Sequence, residues 1–127
     1  MMNNRQLADT FTLIANLCEI KGEVIYVVLA YRKASENLMT LSREAGEYWK
    51  EGKLREIPGV GKAIAEKIDE LLSTGKLGFL ENLKKEIQKL EVEKQVVKKD
   101  SPRAKALSRQ ISDLEELLLL FRDITPN

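Results

Sequence analysis

Apolar residues return every three or four positions through almost the whole chain, the period of helices that bury one face. Leu7, Phe11, Ile14 and Leu17 or Cys18 share one side of a segment that Asn3 or Asn4 can cap and that runs to about Glu19. Ile20-Lys21-Gly22 breaks it. The next segment, about Val24 to Met39, opens on the β-branched run VIYVVLA. Its spacing through Val24, Val27, Val28, Tyr31, Ala34 and Leu38 stays at three and four, and no second run offers a strand partner, so it reads as helix. Ser42 is a suitable N-cap for a third helix to about Lys50, with Ala45, Tyr48 and Trp49 turned inward.

Leu54 to Ile57 predicts a short helix that Pro58 stops, and Gly59 and Gly61 then permit backbone geometry closed to other residues. A further helix from Lys62 to Ser73 buries Ile64, Ile68, Leu71 and Leu72, and Thr74-Gly75 ends it. Phe79 to about Lys98 reads as one helix, with Leu83, Ile87, Leu90 and Val97 in register and Lys94 interrupting the stripe. Asp100-Ser101-Pro102 is a turn in which a capping side chain precedes proline at the first helical position. The last helix carries Ala104, Leu107, Ile111, Leu114, Leu118 and Phe121, and Leu117, Leu119 and Leu120 widen its apolar face. The expected fold is all-α: a compact helical domain over residues 1–78, with a helix-hairpin-helix at 54–73, then a C-terminal antiparallel helical hairpin over 79–127. That hairpin should pack on the first domain or on a partner subunit.

Composition narrows the chemistry. With 127 residues, 43% hydrophobic and 32% charged, the chain suits one soluble domain, or a small domain with an appendage. Net charge is only +1, so bulk electrostatics make no case for nucleic acid. The distribution says more: residues 1–80 carry eleven basic and eleven acidic side chains, whereas Lys84 to Arg109 holds nine basic against four acidic. Such a run is ordinarily a solvated face, or it lengthens a contact with DNA. There is no histidine, which removes the usual base of a nucleophilic triad and the commonest zinc ligand. The single cysteine, Cys18, reads as a buried core thiol. The longest strongly apolar run, Leu117 to Phe121, is too short to span a bilayer. No leader is recognisable, and the expectation is an intracellular, cytoplasmic protein with no membrane role.

The Pro58-Gly59-Val60-Gly61 tetrad carries most of the functional content. A glycine hinge between two helices can present the backbone N–H groups of about Val60 to Ala63 at the start of the following helix, where orphan amides and the helix dipole favour an anion. Lys62 lies beside the hinge and Lys67 just over one turn later, both expected off the apolar core formed by Ile57, Val60, Ile64 and Ile68. A phosphate held in this way is gripped without reading bases, so the binding would not depend on sequence. A lone Pro-Gly-x-Gly is also an ordinary turn between helices.

Three stretches, NNRQLADTF from Asn3, AYRKA from Ala30, and EIPGVGKAIAEKIDELLSTGKL from Glu56 to Leu77, resemble the amino-terminal helical domain of the X family of DNA polymerases. The resemblance covers about residues 3–85. It implies binding to gapped or nicked DNA and to a 5′ phosphate, and in DNA repair a 5′-deoxyribose phosphate lyase activity. The lyase lysine of that family matches Lys67, within Ala65-Glu66-Lys67-Ile68. Its amine would attack the sugar aldehyde as a Schiff base, and β-elimination would follow. Tyr31 matches a tyrosine lining the family's pocket, and Arg32 and Lys33 follow it near the DNA. Residues implied at the DNA are therefore Gly59, Val60, Gly61, Lys62, Ala63, Lys67, Arg32 and Lys33.

The departures are specific. Basic residues expected before Ala-Tyr-Arg are replaced by Tyr26-Val27-Val28-Leu29, an apolar patch suited to packing against the C-terminal hairpin. Ala63 and Phe79 stand at two further positions where the family carries positive charge. Without the resemblance, Lys67 is a surface lysine within reach of Glu66 and Glu70. Three readings stand: a DNA-binding module, a lyase using Lys67 and Tyr31, and a structural or dimerising module that has lost the pocket. Polymerase activity needs clustered carboxylates on a further domain, and Asp100, Asp113 and Asp123 read as solvated charge in a turn, on a helix surface and in a tail. No cofactor or metal is required; a monovalent or divalent cation would fit at the hairpin's backbone carbonyls.

Overall fold

The computed structural model describes residues 1–75 and 78–124. Lys76 and Leu77, at the end of the resemblance block, and the side chain of Phe79 lie outside the described residues. Among the described residues six α-helices follow one another: α1 (Asn4–Ile20), α2 (Ile25–Thr40), α3 (Ala45–Lys50), α4 (Lys62–Thr74), α5 (Phe79–Val96) and α6 (Pro102–Ile124). A 3-10 turn, Leu54–Glu56, stands where the sequence predicts a short helix. The fold is all-α, with no strand among the described residues.

Of the two asparagines able to cap α1, Asn3 does so. Its Oδ1 accepts from the Gln6 amide at 2.8 Å while Gln6 Oε1 accepts from the Asn3 amide at 2.9 Å, a reciprocal capping box. Asn4 is thereby free for a distant task. Its Oδ1 accepts from the Ala45 amide at 2.6 Å and its Nδ2 donates to the Arg43 carbonyl at 2.8 Å, which caps α3 from across the domain. Ser42 is not the cap: α3 starts after Glu44, and Ser42 stays exposed outside it. A six-residue helix cannot sustain itself in isolation, so the tertiary cap decides where it begins.

The α1 helix is the centre of the molecule. Leu7, Ala8, Thr10, Phe11, Leu13, Ile14, Ala15 and Leu17 are all buried, far more than one stripe, because α2 covers one flank and α6 another. Between α1 and α2 runs a small polar seam. Ser35 Oγ donates to the Ala8 carbonyl at 2.7 Å and meets Thr12 Oγ1 at 2.8 Å, so the buried serine is satisfied on both counts. Val28, Ala34 and Leu38 complete the inner face of α2.

Two expectations for this region fail. Val24 lies outside the helix and is exposed, and Tyr26 is 80% exposed. Within the stretch 26–29, Val28 is buried and Val27 half-buried, while Tyr26 and Leu29 stay exposed. Cys18 is half-buried rather than fully buried. Burial raises its thiol pKa, Glu23 raises it further, and Lys21 and Lys67 oppose the shift, so the group is held as the neutral thiol.

The two last helices pair antiparallel. α5 ends two residues earlier than its apolar register suggests, at Val96, because Val97 turns extended. Asp100 adopts a left-handed φ of +64°, and Ser101 Oγ accepts from the Ala104 amide at 3.1 Å, with Pro102 opening α6 as its residue type favours. Along α6 the buried positions are Leu107, Ile111, Leu114, Leu117 and Phe121. The stripe takes Leu117, leaving Leu118 half-buried, because a 3.6-residue turn drifts off a strict heptad. Asp123 sits exposed in the last turn of α6 rather than in a tail. Leu83, Ile87, Ile111, Leu114, Leu117 and Phe121 share one buried cluster with α1 and α4.

Phe121→Ala should cost about 3–5 kcal/mol, since a fully buried ring is removed where α6 meets that cluster. Asn4→Ala should cost about 1–2 kcal/mol by loss of the α3 cap. Ser42→Ala should change stability by less than about 0.5 kcal/mol. Urea midpoints for the three variants check the ranking, and an equal effect at Asn4 and Ser42 would refute the cap assignment.

Candidate nucleic-acid interface

The hairpin is built on one turn. Ile57 is extended, and its carbonyl accepts from the Val60 amide at 3.1 Å across Pro58 and Gly59. With proline second and a glycine at φ +79° third, this is the pattern of a type II turn. Val60 therefore spends its N–H inside the turn, and the outward donors begin one residue later than expected. Ile57, Val60, Ile64 and Ile68 are all buried and lock the turn onto the core.

The two glycines have different reasons to be glycine. Gly59 needs its left-handed φ, and a Cβ there would stand 2.4 Å from Asn37 Nδ2. That amide donates to the Pro58 carbonyl at 2.8 Å, so α2 clamps the turn from outside. Gly61 has extended geometry, φ −89° and ψ −170°, that any residue adopts, which corrects the expectation of special backbone there. A Cβ at Gly61 would meet nothing within 4 Å. Gly61 is the N-cap of α4, and it supplies no capping side chain.

The consequence is an uncapped helix start facing open space. The first intrahelical contact is Ala65 N–H to the Gly61 carbonyl at 2.9 Å, and the Gly61, Lys62 and Ala63 amides have no acceptor among the described residues. The positive end of the α4 dipole lies at the same place. Lys62 and Ala63 are exposed, and Lys62 makes no ion pair among the described residues. On one side Lys33 runs its stem beside Gly59, while its ammonium lies 3.9 Å from Glu36. On the other, Lys62 shares a hollow of about 470 Å³ with Lys53, Arg55 and Trp49, and with the carboxylates Glu56, Glu66 and Asp69.

Lys67 is placed apart from the amides. It is half-buried, not off the core, and its Nζ lies 5.9 Å from the centre of the Tyr31 ring. Tyr31 in turn stacks on Phe11, with centroids 6.0 Å apart and planes 14° from parallel. Neither Glu66 nor Glu70 forms an ion pair with Lys67, and Glu70 accepts instead from the Gly78 amide. An ammonium over an aromatic face is held by the ring quadrupole. Arg32 turns the other way, bonding Asn16 Oδ1 at 3.1 Å and pairing with Glu19 on α1. Its charge is matched at the end of α1, away from the hairpin's clamp at Asn37.

Asn37 and Arg55 are the residues that the sequence reading passes over. Asn37 carries little signal in the sequence: it is a polar residue bordering the buried Ala34 and Leu38. Arg55 reads as one more charge in a loop until the 3-10 turn sets it beside Lys62. Among the described residues no cluster of acidic, cysteine or histidine side chains could hold a metal ion.

Gly59→Ala should destabilise by about 1–2 kcal/mol from backbone strain, with more from the collision at Asn37. Adding Asn37→Ala should recover part of that loss, so a double-mutant cycle by urea unfolding should be non-additive. Additive losses would mean that the side chains do not meet.

A model of the helix-hairpin-helix domain matches residues 2–77. No helix among the described residues is long and apolar enough to cross a membrane. Because the match takes in α1 to α4 together with the Ile57–Val60 turn and the open start of α4, over half of the sequence, the chain belongs to the helix-hairpin-helix domain family.

Proposed function

We propose that the protein binds DNA without sequence preference by seating a backbone phosphate on the Gly61, Lys62 and Ala63 amides. The observation that carries this reading is the glycine N-cap. Serine, threonine or aspartate would normally occupy that position and satisfy the first amides of the helix. Here a rigid turn holds those donors outward with no internal substitute, the arrangement in which an external anion completes the helix end. Lys62 adds a charge beside them, and Lys33 and Arg55 flank it. Phosphate contacts position a protein on nucleic acid but carry no base information. The resemblance to the X-family polymerase domain supports gapped or nicked DNA with a 5′ phosphate as the preferred form, in repair.

A second reading rests on the placement of Lys67 over Tyr31, half-buried and free of a carboxylate partner among the described residues. In this reading its amine adds to the open-chain C1′ aldehyde of a 5′-deoxyribose phosphate, and water leaves as the imine forms. Loss of a C2′ proton then drives cleavage of the C3′–O bond, leaving the phosphate on the DNA. Binding alone accounts for the open helix start; the lyase needs Lys67 as well.

Gly61→Asp separates fold from function. Aspartate is a favoured N-cap, so stability should hold or rise by a few tenths of a kcal/mol. Its carboxylate would occupy the phosphate seat, and affinity for gapped duplex, followed by fluorescence anisotropy, should fall about tenfold or more. Unchanged binding by a folded Gly61→Asp protein would overturn the proposal. For Lys67, borohydride reduction in the presence of a 5′ abasic sugar phosphate should trap a covalent adduct, lost in Lys67→Ala. DNA binding without any adduct would discard the lyase reading and leave the binding one intact.

A further inference from the structure

The sequence is almost neutral, yet one end of the molecule is not. Between Lys94 and Arg109 six basic residues accompany a single acidic one, Asp100, while the whole chain carries a net charge of only +1. The excess therefore sits on one short stretch and is balanced elsewhere. Folding concentrates it further. The end of α5, the turn at 97–101 and the start of α6 bring Lys94, Lys99 and Lys105 around one open groove of about 830 Å³, with Val97 and Ser108 in its wall. Glu91 and Asp100 are the carboxylates of that groove. Arg103 is matched by Glu93 across the pair of helices. Lys94, Lys98, Lys99, Lys105 and Arg109 enter no ion pair among the described residues, and all are exposed.

This end also begins at the level of the last residue of α1. Ile20, the last residue of α1, borders a hollow with Ala106, Arg109 and Gln110, and α6 begins at Pro102. At a rise of about 1.5 Å per residue, the helix continues roughly 6 Å past that level before the turn adds its own height. The shared cluster takes Ile87 from α5 and Ile111 from α6, with Leu90 packed on its edge, while Val97 and Ala104 are only half-buried. Burial therefore does not require lysines here, and their mutual repulsion opposes their gathering. Screening confines such a field to about 10 Å, so the tip acts on what lies against it rather than steering from afar.

From this we infer that the tip of the α5–α6 pair is a second nucleic-acid contact, a groove that takes the phosphate backbone of the DNA held at the α4 start. The inference rests on the DNA-binding reading and extends it: one site seats a phosphate on backbone amides, the other holds the strand by side-chain ammonium groups. A polyanion is the ligand whose charge is spread as the lysines are spread, and it relieves their repulsion while releasing its own counterions. No base is read at either site.

Three proteins test it by anisotropy on gapped duplex across a series of salt concentrations: wild type, Lys94→Ala/Lys99→Ala/Lys105→Ala, and Lys84→Ala/Lys85→Ala/Lys89→Ala. The two triple variants change net charge equally, and all six positions are exposed, so circular dichroism should show the same helix content. For the tip variant the slope of log affinity against log salt should fall by about 2 to 3, with weaker binding at every salt, and the α5 control should keep the wild-type slope. A tip variant indistinguishable from wild type overturns the inference and leaves the amide site standing, as does an equal loss in both triple variants. Loss confined to the tip variant while folded Gly61→Asp binds normally would keep this contact and overturn the amide site instead. No binding by wild type at low salt would overturn both.

Discussion

Everything in this fold is placed by the need to cover α1. Leu7, Phe11, Ile14 and Leu17 make one apolar side, but Leu13 and Ala15 are buried too, so no single neighbour can shield the helix. α2 folds back along it through the Ser35–Ala8 hydrogen bond, and α6 lies along it through the cluster that includes Phe121. Burial of a large aliphatic or aromatic side chain is worth about 1.5–3 kcal/mol, and α1 contributes several. The polar seam adds little net energy but forbids sliding, since a shift of one turn would strand a buried serine.

The hairpin inherits its rigidity from this arrangement. α2 is fixed on α1, and Asn37 on α2 holds the carbonyl of Pro58. Ile57, Val60, Ile64 and Ile68 pin the turn and the start of α4 from below. The amides of Gly61 to Ala63 are thus preorganised: the entropy of ordering them is met by folding rather than at the moment of binding. What the chain withholds matters as much, because any capping side chain at Gly61 would spend those donors internally. The same core places Lys67 against Tyr31, which stacks on Phe11, and the Glu19 contact draws Arg32 to the other end of α2's partner helix.

Helix content and order were legible because three-four spacing persists through each segment, even where VIYVVLA favours strand by residue type. The Ser101-Pro102 start of α6 and the Gly75 end of α4 were legible because each depends on atoms within a few residues of itself. The hairpin was legible for the same reason, through proline and glycine in fixed order. Ser42 misled because capping propensity counts only local partners, whereas Asn4 reaches α3 from the other end of the sequence. Leu118 and Val24 misled because a stripe shows which residues could be buried and not what arrives to bury them. Lys67 looked like a surface lysine beside glutamates until Tyr31 was brought under it.

Sequence by itself determined the helices, their local ends, the glycine turn and the absence of a capping side chain at Gly61. These follow from backbone sterics and from hydrogen bonds spanning a few residues. Tertiary structure alone decided that Asn37 clamps the turn, that Asn4 starts α3, that Arg32 pairs with Glu19, and that the lysines of α5 and α6 meet around one groove. Each of those joins residues on different elements of the fold. Their proximity is set by which apolar faces find one another around α1, and periodicity names the faces without naming their partners.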